Sequence, residues 1–91
     1  MAVYIDAPKR HRFRGRLIWS SHLMADSSEE LVAFARALGM KPAWLQNAGA
    51  PKEHFDVFGR ARHAAAVRAG AHQVSSRDLV RLIQRRRAAR Q

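Results

Sequence analysis

The fold is constrained most by the alternation of short apolar segments with longer segments whose apolar residues recur at helical spacing. The predicted order is two strands, a helix, two strands, a helix, a strand and a final helix, all within 91 residues. The predicted strands are residues 2–6, 17–25, 43–46, 54–57 and 71–74. Strands that alternate with helices favour an α/β layer structure. We expect one small domain, residues 1–91, with a mixed or partly parallel sheet of about four to five short strands and three helices.

The first helix has the clearest sequence signals. Ser27 and Glu30 form a Ser-x-x-Glu capping box, in which hydroxyl and carboxylate satisfy reciprocal backbone donors. The apolar residues that follow recur at helical spacing and predict one buried stripe, Leu31, Phe34, Ala35 and Leu38. Gly39 is predicted to end this helix in the left-handed conformation.

Two further helices are predicted, over residues 60–69 and from residues 75–78 onward. The second is alanine-rich, and its inward-facing residues are predicted to be Ala61, Ala65 and Ala64. The third is predicted to bury Leu79, Val80, Leu82 and Ile83. An arginine-rich tail, residues 85–91, continues this helix or frays from it, because cations are mildly favourable near a helix C-terminus.

The net charge of +10 is concentrated in two segments. One is a predicted basic loop, residues 8–16, which holds Lys9, Arg10, Arg12, Arg14 and Arg16. The other is the tail, which holds Arg85, Arg86, Arg87 and Arg90. Concentrated positive charge attracts polyanions, so both segments are candidates for nucleic-acid binding. The alternative is that the excess of Arg and Ala reflects a GC-rich genome.

Other totals limit the class of protein. The chain has no cysteine, which excludes disulfides and thiolate metal ligands. No apolar run approaches the length of a membrane span, and the N-terminus lacks a signal-peptide pattern. We therefore expect a cytoplasmic protein that does not enter a membrane.

Two acid–histidine pairs are the strongest functional signal. His54 and Asp56 are two residues apart on a predicted strand, so both side chains point to one face, while Phe55 and Val57 point to the core. His22 and Asp26 lie where a strand ends and a helix begins. Asp26 has an alternative role as a helix cap. Asp6, at the end of the first strand, could join either pair.

Three kinds of chemistry fit these residues. A histidine oriented by an aspartate can act as a general acid or base. Two histidines and two carboxylates could form the ligand shell of zinc, manganese or iron, although no established metal-binding spacing is present. Phosphate binding is the third, because Arg60 and Arg62 fall in the first turn of a predicted helix.

Trp44 and Gln46 are also two residues apart and would share a face of a strand. An exposed tryptophan beside a glutamine can stack on a base or ring and hydrogen-bond to it. The alternative is a core tryptophan beside a glutamine at the sheet edge.

Several motifs occur together in a characteristic order. They are MAVYID at residues 1–6, SHLMAD at 21–26, EL at 30–31 with FA at 34–35, LG at 38–39, WLQ at 44–46, HFDV at 54–57, and GA at 70–71 leading to VSSR at 74–77. In these motifs the chain resembles the DUF4031 family of small uncharacterised bacterial proteins. The resemblance implies a compact domain whose distinctive positions include Asp6, His22, Asp26, Trp44, Gln46, His54 and Asp56. It implies no reaction, cofactor or partner.

The sequence therefore predicts a polar pocket formed by Asp6, His22, Asp26, His54, Asp56 and Arg62. We expect it to bind a phosphate-bearing ligand, a nucleotide or a nucleic-acid end, with Trp44 and Gln46 nearby. Hydrolysis is left open; His22 and His54 would transfer protons, oriented by a carboxylate such as Asp56. Two alternatives stay open: a nucleic-acid-binding accessory module that uses the arginines, and a divalent-metal site. No cofactor or oligomeric state is predicted.

Overall fold

A computed structural model describes residues 2–89 of the chain. The strands are β1 (Val3–Asp6), β2 (Lys9–Phe13), β3 (Arg16–Ala25), β4 (Phe55–Phe58) and β5 (His72–Val74). The helices are α1 (Ser28–Ala37), α2 (Arg60–Arg68) and α3 (Ser76–Ala89), with a 3₁₀ turn at Pro42–Trp44. Every helix within residues 2–89 is too short or too polar to cross a membrane.

The sheet is built on one long hairpin. Strands β1 and β2 both pair antiparallel with β3 on the same side, β1 with its end and β2 with its beginning. Ile5 of β1 lies opposite Leu23, and Lys9 of β2 lies opposite Ser20. The chain therefore advances four residues from Ile5 to Lys9, while β3 advances only three between their partners. The extra residue is a β-bulge around Pro8, which has no N–H to donate to the ladder.

The two outer strands complete a mixed sheet. Strand β4 pairs antiparallel with β3, and β5 pairs parallel with β1. Since α2 connects β4 to β5, the chain crosses over β3 and β1 between them. The α/β class with a mixed sheet of five strands and three helices is confirmed.

Helices cover both faces of the sheet. One face packs against α1 and α2 and carries the main core, which includes Ile5, Leu23, Leu31, Phe55, Val57 and Ala66. The other face packs against α3 through a smaller cluster of Met24, Leu79 and Leu82. Because side chains alternate along a strand, the residues between the core positions of β1, β3 and β4 face α3. Asp6, His22 and Asp56 are on that second face.

Both ends of α1 agree with the sequence predictions. The Ser27 hydroxyl accepts a hydrogen bond from the Glu30 amide at 3.2 Å, so the serine half of the capping box is confirmed. Leu31 and Ala35 are buried, and Gly39 has a φ of +81°. That left-handed conformation after the last turn explains why glycine ends the helix.

The prediction of a loop over residues 8–16 is wrong. Residues 9–13 form β2, and Arg14 and Gly15 make a two-residue turn with φ values of 50° and 77°. Both central residues of such a turn need positive φ, which glycine accommodates easily and arginine does not. All five residues of β2 are exposed, so the strand lacks the alternation of buried and exposed residues by which strands are recognised.

Two other predicted elements differ. Residues 43–46 are not a strand: Pro42 begins a 3₁₀ turn, and only Gln46 pairs, in an isolated bridge with His54. Helix α2 buries His63 and Ala66, whereas Ala61 is exposed and Ala64 and Ala65 are half-buried. An alanine-rich helix has no large apolar stripe, so its rotation is decided by the sheet beneath it. In α3, Val80 is exposed rather than buried.

Candidate functional site

Asp6 is the centre of the site. Its side chain is 2% exposed, and its carboxylate accepts three hydrogen bonds: from the His22 amide at 2.7 Å, from His22 Nδ1 at 3.0 Å and from the Ser76 hydroxyl at 2.9 Å. Burial tends to raise the pKa of Asp6, but these hydrogen bonds outweigh it and hold the pKa below its usual value. Asp6 is therefore an anion that ties β1 to β3 and to the start of α3.

The bulge places Asp6 in this position. Pairing between the hairpin strands is interrupted after Ile5, so the next amide of β3, that of His22, binds a side chain instead of a strand carbonyl. The carboxylate that serves as acceptor also reaches the imidazole of the same residue. A single interruption of the ladder thus fixes both the backbone and the ring of His22.

His22 is oriented by this contact. Its Nδ1 donates to Asp6, so Nε2 is the nitrogen left for other chemistry, and it has no hydrogen-bond partner among residues 2–89. The Asp6 hydrogen bond raises the pKa of His22 above its usual value, against the opposing effect of burial; the charges of Asp6 and Asp56 add to the rise. An aspartate that holds Nδ1–H and stabilises the imidazolium is the arrangement used in general acid–base catalysis.

A second acid–histidine pair lies beside the first. The His54 ring packs edge-on against His22, with ring centroids 5.6 Å apart. Its Nδ1 donates to the Lys52 carbonyl at 2.6 Å, and its Nε2 lies 3.3 Å from Asp56 Oδ1. The register of β3 and β4 produces this proximity, because Asp56 is directly opposite His22.

The two histidines line one cavity of about 330 Å³, which we call the histidine cavity. Its polar lining is Asp6, Lys9, His22, Lys52, His54 and Ser76, and its apolar wall is Met24 with the α3 residues Leu79, Val80 and Ile83. Exposed Val80 is explained by this position. The cavity combines a buried anion, two imidazoles and two ammonium groups, a set that can bind an anion and move a proton.

A second cavity of about 350 Å³ lies at the edge of β4, and we call it the aromatic cavity. It is lined by Trp44, Gln46, Asp56, Phe58 and Arg62. The Gln46 amide donates a hydrogen bond to Asp56 Oδ2. Asp56 therefore contacts His54 through one oxygen and Gln46 through the other, so it lies between the two cavities.

Comparison with known proteins identifies the family. A model of a protein family of unknown function, DUF4031, matches residues 3–86 of this 91-residue chain. The chain belongs to the DUF4031 family. Neither a curated protein nor a solved structure matches it.

This DUF4031 domain brings most of the predicted pocket together. Asp6, His22 and His54 line the histidine cavity, while Asp56 and Arg62 line the aromatic cavity with Trp44 and Gln46. Arg60 is not among the residues that line either cavity, and its guanidinium lies 5.0 Å from the Trp19 ring centroid. The predicted pocket is thus two adjoining cavities.

Asp26 lies elsewhere in the domain. Its carboxylate accepts hydrogen bonds from the Ala2 amide at 2.8 Å and the Tyr4 hydroxyl at 2.9 Å. The hydrogen bond to Asp26 raises the pKa of Tyr4. Asp26 does not cap α1, because Ser27 does, and it lines a different hollow with Glu53 and Arg86.

The two basic segments are at opposite ends of β3. Arg14 is in the hairpin turn before β3, while Arg86 lines a hollow with Asp26, which follows β3. A strand of 10 residues is roughly 30 Å long. Of the tail arginines, Arg86 donates to the Pro51 carbonyl at 3.4 Å, Arg85 lines a surface hollow with Tyr4, and Arg87 is exposed. Arg90 lies outside the described residues.

Four residues with contacts at or near the site were missed by the sequence predictions: Lys52, Glu53, His63 and Ser76. His63, assigned no role from sequence, is buried and donates from Nε2 to the Asp6 carbonyl at 3.1 Å. Its spacing with Ala66 and Val67 on one helix face was the available signal. Buried Glu53 accepts from the Ser28 hydroxyl and the Gly49 amide, and so holds the 47–53 loop against α1.

A metal site gains no support from this geometry. Within residues 2–89, no group of three or more histidine, aspartate or glutamate side chains is arranged to hold a metal ion. The carboxylates of Asp6 and Asp56 are instead engaged by hydrogen-bond donors of the protein.

Proposed function

We propose that the histidine cavity binds a phosphate-bearing ligand, a nucleotide or a nucleic-acid end. The observation that carries the proposal is the pair formed by buried Asp6 and His22, which leaves His22 Nε2 without a protein partner at a cavity lined by two lysines. Lys9 and Lys52 supply ammonium donors for phosphate oxygens. The raised pKa of His22 favours an imidazolium that adds to this positive charge.

The same pair would support hydrolysis of a bound phosphate ester. The imidazolium of His22 gives its Nε2 proton to the leaving oxygen as water attacks the phosphorus, while Asp6 holds the ring through Nδ1. The neutral ring then takes up the proton that the attacking water releases. His54, packed against His22, is the second group able to transfer a proton at this cavity.

Calorimetric titration with adenosine monophosphate tests the binding step. We expect His22→Ala and the double substitution Lys9→Ala with Lys52→Ala each to weaken binding about tenfold or more, since each removes charge-assisted hydrogen bonds. His72→Ala is the matched control, because His72 is an exposed histidine outside the cavity. Equal affinity in the wild type, the His22 variant and the lysine variant would contradict the proposal.

Hydrolysis is tested with a chromogenic phosphate ester. His22→Gln removes the group that gives and takes up the proton but keeps a side chain able to bond to Asp6, so any activity should fall about a hundredfold. Activity that survives the substitution would assign the chemistry to another residue.

A second candidate function is nucleic-acid binding by the β2–β3 hairpin, residues 9–20. The guanidinium of Arg10 lies 6.0 Å from the Trp19 ring centroid, and that of Arg14 lies 5.4 Å from the Phe13 ring centroid. Phe13 is exposed and Trp19 is half-buried, and arginines interleaved with accessible aromatic rings favour single-stranded nucleic acid. An accessory module of this kind would use the hairpin or the tail separately, because the two lie at opposite ends of β3.

An oligonucleotide titration at increasing salt separates the two functions. Neutralising Arg10, Arg12 and Arg14 should abolish salt-sensitive binding by the hairpin, and His54→Ala should leave it unchanged. Deleting residues 85–91 tests the tail independently. Binding that is lost with His54 but not with the arginines would favour the histidine cavity.

A further inference from the structure

The aromatic cavity has features that the proposed phosphate site does not use. Trp44 is 45% exposed and Phe58 is 51% exposed, and both rings line this one cavity. Its volume of about 350 Å³ is within the range of small-molecule sites. Two large, half-exposed rings at one small cavity provide faces on which a planar ligand can stack.

The polar groups of the cavity are suited to the edge of such a ligand. Gln46 uses one N–H on Asp56, which leaves its second N–H and its carbonyl oxygen for a ligand. A side-chain amide that offers a donor and an acceptor side by side matches the edges of nucleobases. Arg62 adds a planar cation that can stack on the base or donate to it.

The position of the aromatic cavity relates it to the histidine cavity. Asp56 lines the aromatic cavity, and its Oδ1 lies 3.3 Å from Nε2 of His54, which lines the histidine cavity. The two cavities therefore adjoin across the contact between His54 and Asp56. A ligand with a planar ring at one end and a phosphate at the other could occupy both.

We infer that the aromatic cavity binds the base of a nucleotide, stacked on Trp44 and Phe58, while the histidine cavity binds its phosphate. The phosphate half of this inference rests on the proposed function; the base half rests on the aromatic cavity alone. The base and the phosphate of the proposed nucleotide are thereby assigned to two separate cavities. Gln46 and Arg62 become the residues that select the base.

Tryptophan fluorescence tests the inference directly. The chain has two tryptophans, so Trp19→Phe leaves Trp44 as the only one. In this background, adenosine monophosphate and adenosine should both quench Trp44 emission, and ribose 5-phosphate should bind without quenching. Trp44→Ala, in the wild-type chain, should weaken nucleotide binding about tenfold or more in calorimetry, and Trp44→Phe should restore most of it. Ribose 5-phosphate affinity should be the same in all three proteins.

The outcomes separate the inference from the proposed function. If ribose 5-phosphate binds as tightly as the nucleotide and Trp44 emission does not change, the base site is overturned and the phosphate site stands. If adenosine quenches Trp44 emission to the same extent as adenosine monophosphate, and His22→Ala does not change nucleotide affinity, the base site stands and the phosphate site fails. Absence of binding by all three probes overturns both. Trp44 is exposed, so its variants should keep the melting temperature of the parent, which checks that they fold.

Discussion

Nδ1 of His22 lies 3.0 Å from Oδ2 of Asp6, a buried residue whose carboxylate also accepts from the His22 amide. The Asp6 side chain therefore accepts from the β3 amide at which pairing between β1 and β3 is interrupted. It also orients the His22 imidazole at the histidine cavity. Stability and the proposed chemistry depend on the same hydrogen bonds. Substitutions at Asp6 or at His22 are therefore expected to affect both.

Asp6→Asn should destabilise the fold by about 1–3 kcal/mol, because the amide group cannot accept from all three donors and brings donors of its own into a buried position. Urea unfolding followed by circular dichroism measures this change. Glu29→Gln, at an exposed position of α1, is the control and should change the free energy of unfolding by less than about 0.5 kcal/mol. An unchanged free energy of unfolding in the Asp6→Asn variant would show that the carboxylate does not hold β1 to β3.

Stability should depend on pH through the same pair. The pKa of His22 is raised above 6.5, so its stabilising contribution is complete below that pH and is lost as the pH rises through the folded-state pKa. The pKa of Asp6 is lowered below 3.8, so its contribution is present above that pH and is lost in acid. Melting temperatures between about pH 5 and about pH 9 should fall at the alkaline end. His22→Gln should flatten this dependence; an unchanged slope would contradict the assignment.

His63→Ala should destabilise the protein by about 2–4 kcal/mol. The substitution opens a space beneath α2 and leaves the buried Asp6 carbonyl without its donor. His72→Ala removes a histidine from an exposed position and should cost little. Similar losses of stability in the His63→Ala and His72→Ala variants, measured by thermal unfolding, would show that burial of His63 contributes nothing to stability.

Glu53→Ala should release the 47–53 loop. Glu53 is 4% exposed and accepts from the Ser28 hydroxyl at 2.7 Å and the Gly49 amide at 2.8 Å, so its loss removes the hydrogen bonds that join the loop to α1. Amide hydrogen exchange should accelerate at Gly49 and leave the β1–β3 ladder protected. Uniform acceleration across both regions would indicate global destabilisation instead.

The sequence by itself determined the first helix and the facing of residues along β4. The capping serine and the apolar stripe of α1 are contained within about ten consecutive residues, where periodicity and backbone geometry act. His54 and Asp56 share a face because strand side chains alternate with a period of two, which requires no knowledge of the neighbouring strand. The same rule correctly placed Phe55 and Val57 in the core.

Only the tertiary structure decided which of these groups meet. Asp6 contacts residues 16 and 70 positions away, and the bulge that aims it depends on the register between two strands. Strand register and layer packing also decided that Asp26 contacts Tyr4 and that the predicted pocket is two cavities with Asp56 between them. They likewise placed the two basic segments at opposite ends of β3. Sequence spacing carries information about one element at a time, whereas a site is formed where several elements pack together.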